Sequence, residues 1–223
     1  MSYRFDCREP AARGNALATA VTALAADGLV VLPTDTGYGL GCDAFSRAGI
    51  DGLRAARGGD RAAAPPVLIP RTGTLDGLAA DLSGPARELA EAFWPGPLTL
   101  VCRAQPTLDW DLGPARGTVA VRVPLHPLAL ELLDRVGPMA VTGAGPVGAA
   151  APTGCDVAEA ALGEAVTAYL DVGPLPGGEP STIVDVTGPV PRVLRPGAVR
   201  TGELAAVVGE ILAPPGTVEA GTR

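Results

Sequence analysis

The length and composition of the chain predict a folded α/β protein. Its 223 residues suit one large domain; 47% are hydrophobic and 18% charged, enough apolar material for a core and too little charge for a disordered chain. All 17 basic residues are arginines, which excludes a Schiff base on lysine and an ordinary Walker A loop. The net charge of −7 disfavours nucleic acid as the main partner, because its phosphates repel a negative surface.

Cysteine usage and hydropathy argue against a zinc protein, a disulfide-rich protein and a membrane protein. The four cysteines form no CxxC pair and only one histidine accompanies them, so neither a zinc site nor a disulfide framework is indicated. The N-terminal MSYRFDCREP has no apolar signal region, and no later run reaches the roughly 18 apolar residues of a membrane helix. We therefore expect a cytoplasmic protein that does not enter the membrane.

Apolar periodicity predicts alternating helices and strands. Leu17, Val21 and Leu24 mark a helix over 9–27, and Leu29 begins a short buried strand that delivers TDTGYGLGCDAF, expected as a loop, to the edge of a sheet. Further helices are predicted over 46–57, 85–93, 128–135 and 201–212, and further strands over 66–69, 98–102, 118–123, 139–142, 166–171, 182–186 and 192–194. This alternation predicts one α/β domain over residues 1–212, followed by a mobile tail over 213–223.

Two glycine-rich segments follow predicted strands. Gly143, Gly145 and Gly148 spell G-x-G-x-x-G, yet Pro146 lies inside the motif and no helix opens directly after it, which argues against a dinucleotide site. A flexible turn and a substrate-lining loop remain open. In PTDTGYGLG, Thr34 and Thr36 either cap the next element or line a polar pocket.

Single polar residues at strands are the other candidates. Arg122 interrupts the apolar strand VAVRVP and needs a partner, which is either an internal acid such as Asp35 or Asp185 or a bound ligand. Ser181 begins a strand and suits a cap better than a site. His126 has no nucleophile nearby in sequence, and Asp109 and Asp111 form a solvated turn more readily than a metal site, so these are interpreted as structural.

Five segments together resemble one family. PTDTGYGLG, FWPGPLT, VAVRVPLHP, STIVD and LRPG, in this order, are similar to the threonylcarbamoyl-AMP synthase (YrdC-like) family. The resemblance implies a twisted mixed sheet with flanking helices and a large open cavity. It also implies a reaction of ATP, with Mg²⁺, bicarbonate and L-threonine that gives threonylcarbamoyl-AMP and pyrophosphate for modification of a tRNA adenosine.

The resemblance also implies roles for individual residues. Thr34, Thr36 and Ser181 match the amino-acid pocket, and Arg122 matches the partner of the substrate carboxylate. Arg195 matches a basic position near the nucleotide phosphates. All of these positions carry the expected residue, so a pocket for a small carboxylate-bearing molecule is predicted.

The remaining nucleotide positions depart from the family's K-x-R…S-x-N pattern. Arg57 stands at the lysine and Gly59 at the arginine, while Gly143 and Gly145 stand at the serine and the asparagine. Gly37 also replaces the valine of PTDTVYG. Three lost donors, at roughly 1.5 to 3 kcal/mol each, would forfeit about 4 to 9 kcal/mol if additive. ATP use is therefore predicted to be weaker unless Arg54, Arg57 and Arg61, or the amides of residues 143–148, replace them.

Two functions stay open at this point, and a third is disfavoured. The first is an active synthase with a rebuilt phosphate site. The second is a repurposed protein that keeps the amino-acid pocket and acts on another small molecule without nucleotide. An RNA-binding module is disfavoured by the net charge.

Overall fold

A computed structural model describes residues 1–58, 64–146 and 148–214 of the chain. Its α-helices are α1 (Pro10–Ala25), α2 (Arg47–Ala56), α3 (Leu75–Leu78), α4 (Gly84–Phe93), α5 (Pro127–Val136), α6 (Cys155–Leu162) and α7 (Thr201–Val208). Its strands are β1 (Tyr3–Asp6), β2 (Val30–Thr34), β3 (Gly37–Asp43), β4 (Val67–Leu68), β5 (Ala79–Ala80), β6 (Leu98–Ala104), β7 (Thr118–Arg122), β8 (Met139–Gly143), β9 (Ala168–Asp171), β10 (Thr182–Asp185) and β11 (Arg192–Arg195). The predicted α/β class is confirmed.

The strands form one mixed sheet in the order β1-β9-β2-β3-β8-β4-β7-β6-β10-β11, with β5 pairing beside β6. The pairs β1/β9, β2/β9, β4/β7 and β6/β10 are parallel, and the others are antiparallel. The strand ends that carry the predicted site residues, β2, β7 and β10, come from distant parts of the sequence. The sheet brings them to one region of the fold.

Helices cover both faces of the sheet. Val30 and Leu32 of β2 belong to one buried cluster together with leucines of α1 and α5, while Val31 between them belongs to a second, larger cluster. Neighbouring residues of a strand point to opposite faces, so the two clusters lie on the two sides of the sheet. Local signals start the helices: Ser46 Oγ accepts the Gly49 amide at the start of α2, and Pro10 and Pro127 begin α1 and α5.

The segment expected as a loop after β2 is largely a strand. Residues Gly37–Asp43 form β3, which pairs with β2 and β8 and is almost wholly buried. Its glycines allow close packing of β8 side chains, since a Cβ at Gly39 would lie 2.6 Å from Val141 Cγ1 and one at Gly41 would lie 2.8 Å from Met139 Cε. The glycines of β3 are therefore needed for close packing inside the sheet, and the prediction of a loop was wrong for this segment.

Other boundaries differ from the predictions. Helices α3 and α6 and strands β1 and β5 were not predicted. Helix α7 ends at Val208, before Gly209, whose φ is +77°. The predicted tail begins at residue 213, and its residues from 215 on lie outside the described part. None of the described helices is both long and apolar enough to span a bilayer.

Candidate active site

All four residues predicted to bind the substrate line one cavity of about 500 Å³, which we call the inner cavity. Thr34 and Thr36 come from the end of β2 and the turn after it, Arg122 ends β7, and Ser181 precedes β10. Arg57, Gly143 and Arg195 also line this cavity. Gly145 does not, but its carbonyl oxygen accepts a hydrogen bond from Arg57 Nη1. Gly59 and Arg61 lie outside the described residues.

Arg122 organises the inner cavity through three hydrogen bonds. Its Nε donates to the Gly96 carbonyl at 3.0 Å, and Nη1 donates to Thr36 Oγ1 at 2.9 Å. Nη2 donates to Asp35 Oδ1 at 2.5 Å, and that oxygen also accepts the Leu125 amide. A guanidinium carries five N–H donors, so two of them have no partner among the described residues and can serve a ligand.

The Arg122 partner left open by the sequence is Asp35. Arg122 is buried and Asp35 is largely buried, with 7% and 13% of their side-chain surfaces exposed. Burial lowers the pKa of Arg122, and the adjacent Asp35 carboxylate opposes that effect. The guanidinium therefore does not depend on a ligand for charge compensation. Its predicted role as partner of a substrate carboxylate stays a prediction, which rests on its two unused donors.

Thr34 and Thr36 belong to the same network. Thr34 Oγ1 donates to the Gly37 carbonyl at 2.7 Å and lies 3.2 Å from Thr36 Oγ1. Gly37 has φ +122°, a backbone conformation that side chains with a Cβ rarely adopt. A Cβ at this position would also lie 2.8 Å from Ala151 Cβ. Glycine is thus required here by the close approach of the segment that forms the opposite wall.

Ser181 links the inner cavity to two further residues. Its hydroxyl lies 2.9 Å from Thr99 Oγ1 and accepts Arg195 Nη2 at 3.0 Å, while its carbonyl also accepts Arg195. Burial lowers the pKa of Arg195, and the nearby positive charge of Arg122 lowers it further. A bound anion would relieve both effects, so this side of the cavity favours a negative group.

A second cavity of about 840 Å³, the outer cavity, adjoins the first. The two cavities share six lining residues: Arg57, Pro66, Thr99, Thr142, Ser181 and Arg195. The outer cavity combines apolar walls, including Leu53, Val101 and Ile183, with four arginines, namely Arg54, Arg57, Arg116 and Arg195. This combination suits a ligand that has a flat apolar part and several negative charges.

The glycine-rich segment after β8 is only partly available as an anion site. The Ala144 amide donates to the Tyr38 carbonyl, and Gly145 directs its carbonyl oxygen toward Arg57. Helix α6 starts only at Cys155, so this turn does not open into a helix as a dinucleotide fingerprint does. The proposed nest of amides over residues 143–148 therefore lacks at least the Ala144 donor.

Three of the six residues that line both cavities were not predicted as site residues, namely Pro66, Thr99 and Thr142. Thr99 lies in the FWPGPLT segment that carries the family resemblance. His126 lies at the start of α5, outside the lining of both cavities, and its Nδ1 has no hydrogen-bond partner among the described residues. Asp111 accepts the Gly113 amide. In the described ranges, no three acidic, histidine or cysteine side chains come together as metal ligands would.

Comparison with known proteins agrees with this architecture. Residues 22–197 match the protein family described as Telomere recombination, which groups Sua5, YciO and YrdC proteins. A Mycobacterium tuberculosis protein that is provisionally named threonylcarbamoyl-AMP synthase is 48% identical over 94% of this chain and 96% of its own length. The threonylcarbamoyl-AMP synthase of Bacillus subtilis is 33% identical over 87% of this chain and 57% of its own.

Solved structures agree as well. Pyrococcus abyssi Sua5 in complex with L-threonine matches with a TM-score of 0.83 at 31% identity over 92% of this chain, which spans 62% of that longer chain. Escherichia coli YciO matches with a TM-score of 0.75 at 22% identity over 92% of this chain and all of its own, which supports the fold. The chain therefore belongs to the Sua5/YciO/YrdC family.

Proposed function

We propose that this protein is a threonylcarbamoyl-AMP synthase, which converts ATP, bicarbonate and L-threonine to threonylcarbamoyl-AMP and pyrophosphate. The observation that carries the proposal is the pair of adjoining cavities. The inner cavity is lined by the guanidinium of Arg122 and by the hydroxyls of Thr34, Thr36 and Ser181, and the outer cavity combines apolar walls with four arginines. The product would serve the modification of a tRNA adenosine, as in the family that the sequence resembles.

L-threonine would occupy the inner cavity. The two unused N–H groups of Arg122 suit its carboxylate, because the guanidinium fork matches a carboxylate in shape and charge. Ser181 and the threonine hydroxyls at the end of β2 would orient the hydroxyl and amine groups. The complex of Pyrococcus abyssi Sua5 with L-threonine supports this choice of amino acid.

ATP would occupy the outer cavity, with the base against its apolar walls and the phosphates near its arginines. Magnesium would enter with the triphosphate, held mainly by phosphate oxygens and water. Gly143 and Gly145 supply no side-chain donor where the family has serine and asparagine, so we propose that ATP binds more weakly than in the family pattern.

The chemistry would take place where the cavities meet. The threonine amine adds to bicarbonate with loss of water, and an oxygen of the resulting carbamate attacks the α-phosphorus and releases pyrophosphate. Arg195 and Arg57 line both cavities and would stabilise the charge that develops on the phosphate oxygens. Ser181, which Arg195 contacts, would hold the amino-acid side of the junction.

A nucleotide-free function on the retained amino-acid pocket is the weaker candidate. The relatives that match almost the whole chain carry the synthase name. The large arginine-lined cavity beside the amino-acid pocket would also have no ligand in such a protein.

The proposal is tested by incubating the purified protein with ATP, Mg²⁺, bicarbonate and L-threonine. Pyrophosphate release and threonylcarbamoyl-AMP should both appear, the latter identified by mass spectrometry, and both should depend on L-threonine and bicarbonate. Ser181→Ala is expected to lower turnover without unfolding the protein. If threonine binds but neither product forms at any ATP concentration, the protein is not a synthase.

A further inference from the structure

We propose that Arg54 binds the phosphate groups of the nucleotide in the outer cavity and so replaces part of the side-chain donors that the glycines at the family's phosphate positions lack. The inference deepens the proposed function and rests on it. It names a residue outside the K-x-R…S-x-N pattern as part of the phosphate site.

The first observation is the state of the Arg54 side chain. It projects from α2 into the lining of the outer cavity, and only 14% of its surface is exposed. Its Nε and Nη2 are buried and have no hydrogen-bond partner among the described residues. Its one described ion pair is long, 3.6 Å from Nη1 to an Asp51 carboxylate that is 67% exposed. A buried guanidinium with two unsatisfied nitrogens is unfavourable unless a ligand completes it.

The second observation is the surface on which the guanidinium lies. Gly113 packs directly against it, and a Cβ at this position would overlap Arg54 Nη2. Gly113 has φ +97°, and its amide is held by Asp111 Oδ1 at 3.1 Å. The loop between β6 and β7 thus supports the guanidinium from one side, and it contributes Pro114, Ala115 and Arg116 to the same cavity.

The third observation is charge. The outer cavity gathers four arginines and one acid, Asp185, in a chain whose net charge is −7. Asp185 Oδ1 accepts hydrogen bonds from the amide and hydroxyl of Thr187. An excess of positive charge in one cavity of an acidic protein concentrates anions there. A group with several negative charges fits better than a single carboxylate, for which the inner cavity already offers Arg122.

The test measures binding of ATP, pyrophosphate and adenosine by calorimetry to the full-length protein and to Arg54→Met, which keeps an apolar stem and removes the charge. We expect affinity for ATP and pyrophosphate to fall at least tenfold and affinity for adenosine to stay within twofold. Because an unsatisfied buried charge is removed, the urea midpoint of unfolding should stay the same or rise. Arg47→Met is the matched control, since Arg47 lies exposed on the same helix. This variant should leave the affinities for ATP, pyrophosphate and adenosine unchanged.

Several outcomes would overturn the assignment. These are unchanged affinity for ATP and pyrophosphate in Arg54→Met, an equal loss in Arg47→Met, or no binding of pyrophosphate to the parent protein. Should Arg54→Met fail to fold, Arg54→Lys keeps the charge without the fork and should retain an intermediate affinity for pyrophosphate. A value equal to that of the parent would show that the fork makes no phosphate contact.

The result also separates this inference from the proposed function. If ATP binding depends on Arg54 but no product forms, the synthase function is rejected and the phosphate site at Arg54 is retained. If product forms and Arg54→Met does not change the KM for ATP, the synthase function is retained and the role of Arg54 is rejected.

Discussion

At the scale of single residues, the pair of Arg122 and Asp35 sets the stability of the inner cavity. Removing one member of a buried ion pair leaves the other charge uncompensated, which costs about 3 to 5 kcal/mol. We therefore expect Arg122→Met to lower the free energy of unfolding by roughly that amount, measured by urea denaturation without ligand. The double variant with Asp35→Asn should recover part of the loss. A single variant as stable as the parent would contradict the importance of the pair.

Gly37 gives a second prediction at this scale. Its φ of +122° and the 2.8 Å approach to Ala151 exclude a side chain, although the family pattern has valine here. Gly37→Val should destabilise the protein by more than about 1 kcal/mol, seen as a lower thermal midpoint. Gly14→Ala, in α1 with open space around it, is the control and should stabilise by roughly 0.5 to 1 kcal/mol. A neutral Gly37→Val would mean that the wall formed by Ala151 yields.

The missing phosphate donors give a third prediction. A Cβ at Gly143 meets Ala151 at 3.5 Å and fits, whereas one at Gly145 meets Pro152 Cδ at 3.2 Å and requires a small shift. The triple variant Gly59→Arg, Gly143→Ser and Gly145→Asn should lower the KM for ATP by roughly tenfold or more, since about 1.4 kcal/mol corresponds to a factor of ten. An unchanged KM for ATP would indicate that the phosphate site is already complete.

At the scale of elements, the start of α5 predicts a pH dependence. Burial lowers the pKa of His126 below its usual 6.5, while Asp35 raises it and Arg13 lowers it. A histidine that is harder to protonate in the folded state contributes stability that is full above pH 6.5 and is lost as the pH falls through its folded pKa. We expect the urea midpoint to fall between pH 7.5 and pH 5. His126→Gln should remove much of this dependence, since the chain has one histidine.

If the urea midpoint of His126→Gln falls equally between pH 7.5 and pH 5, the pH dependence comes from carboxylates and not from His126. Asp171 is one such carboxylate: burial raises its pKa, but the hydrogen bonds from Arg4 and from the Gly173 amide outweigh burial and lower it. Its effect on stability is therefore lost only at more acidic pH, below the usual carboxyl range.

The elements also show where sequence patterns suffice. Helices α1, α2, α4 and α5 agree with apolar periodicity and with proline or serine at their starts, which are local signals. Strand β3 was missed because its glycines resemble a loop. Glycine is needed in β3 because Val141 and Met139 of β8 pack closely against it, and β8 lies about a hundred residues further along the chain.

At the scale of the whole molecule, the inner cavity predicts a stabilising effect of L-threonine. A ligand at 100 times its dissociation constant raises the free energy of unfolding by about 2.7 kcal/mol. L-threonine should therefore raise the thermal midpoint by several degrees, and D-threonine, which cannot place carboxylate, amine and hydroxyl on the same partners, should raise it less. Equal shifts with both enantiomers would argue against a shaped amino-acid pocket.

The sequence by itself determined the α/β class, the family resemblance, the residues predicted for the amino-acid pocket and the departure from the family's phosphate pattern. These depend on residue identity and on short-range periodicity, which are local. Only the tertiary structure decided that Asp35 compensates Arg122, that Thr99 and Thr142 line both cavities, and that Gly113 supports Arg54. Each of these is a contact between strands or loops far apart in the chain, and its presence depends on the order and register of a mixed sheet.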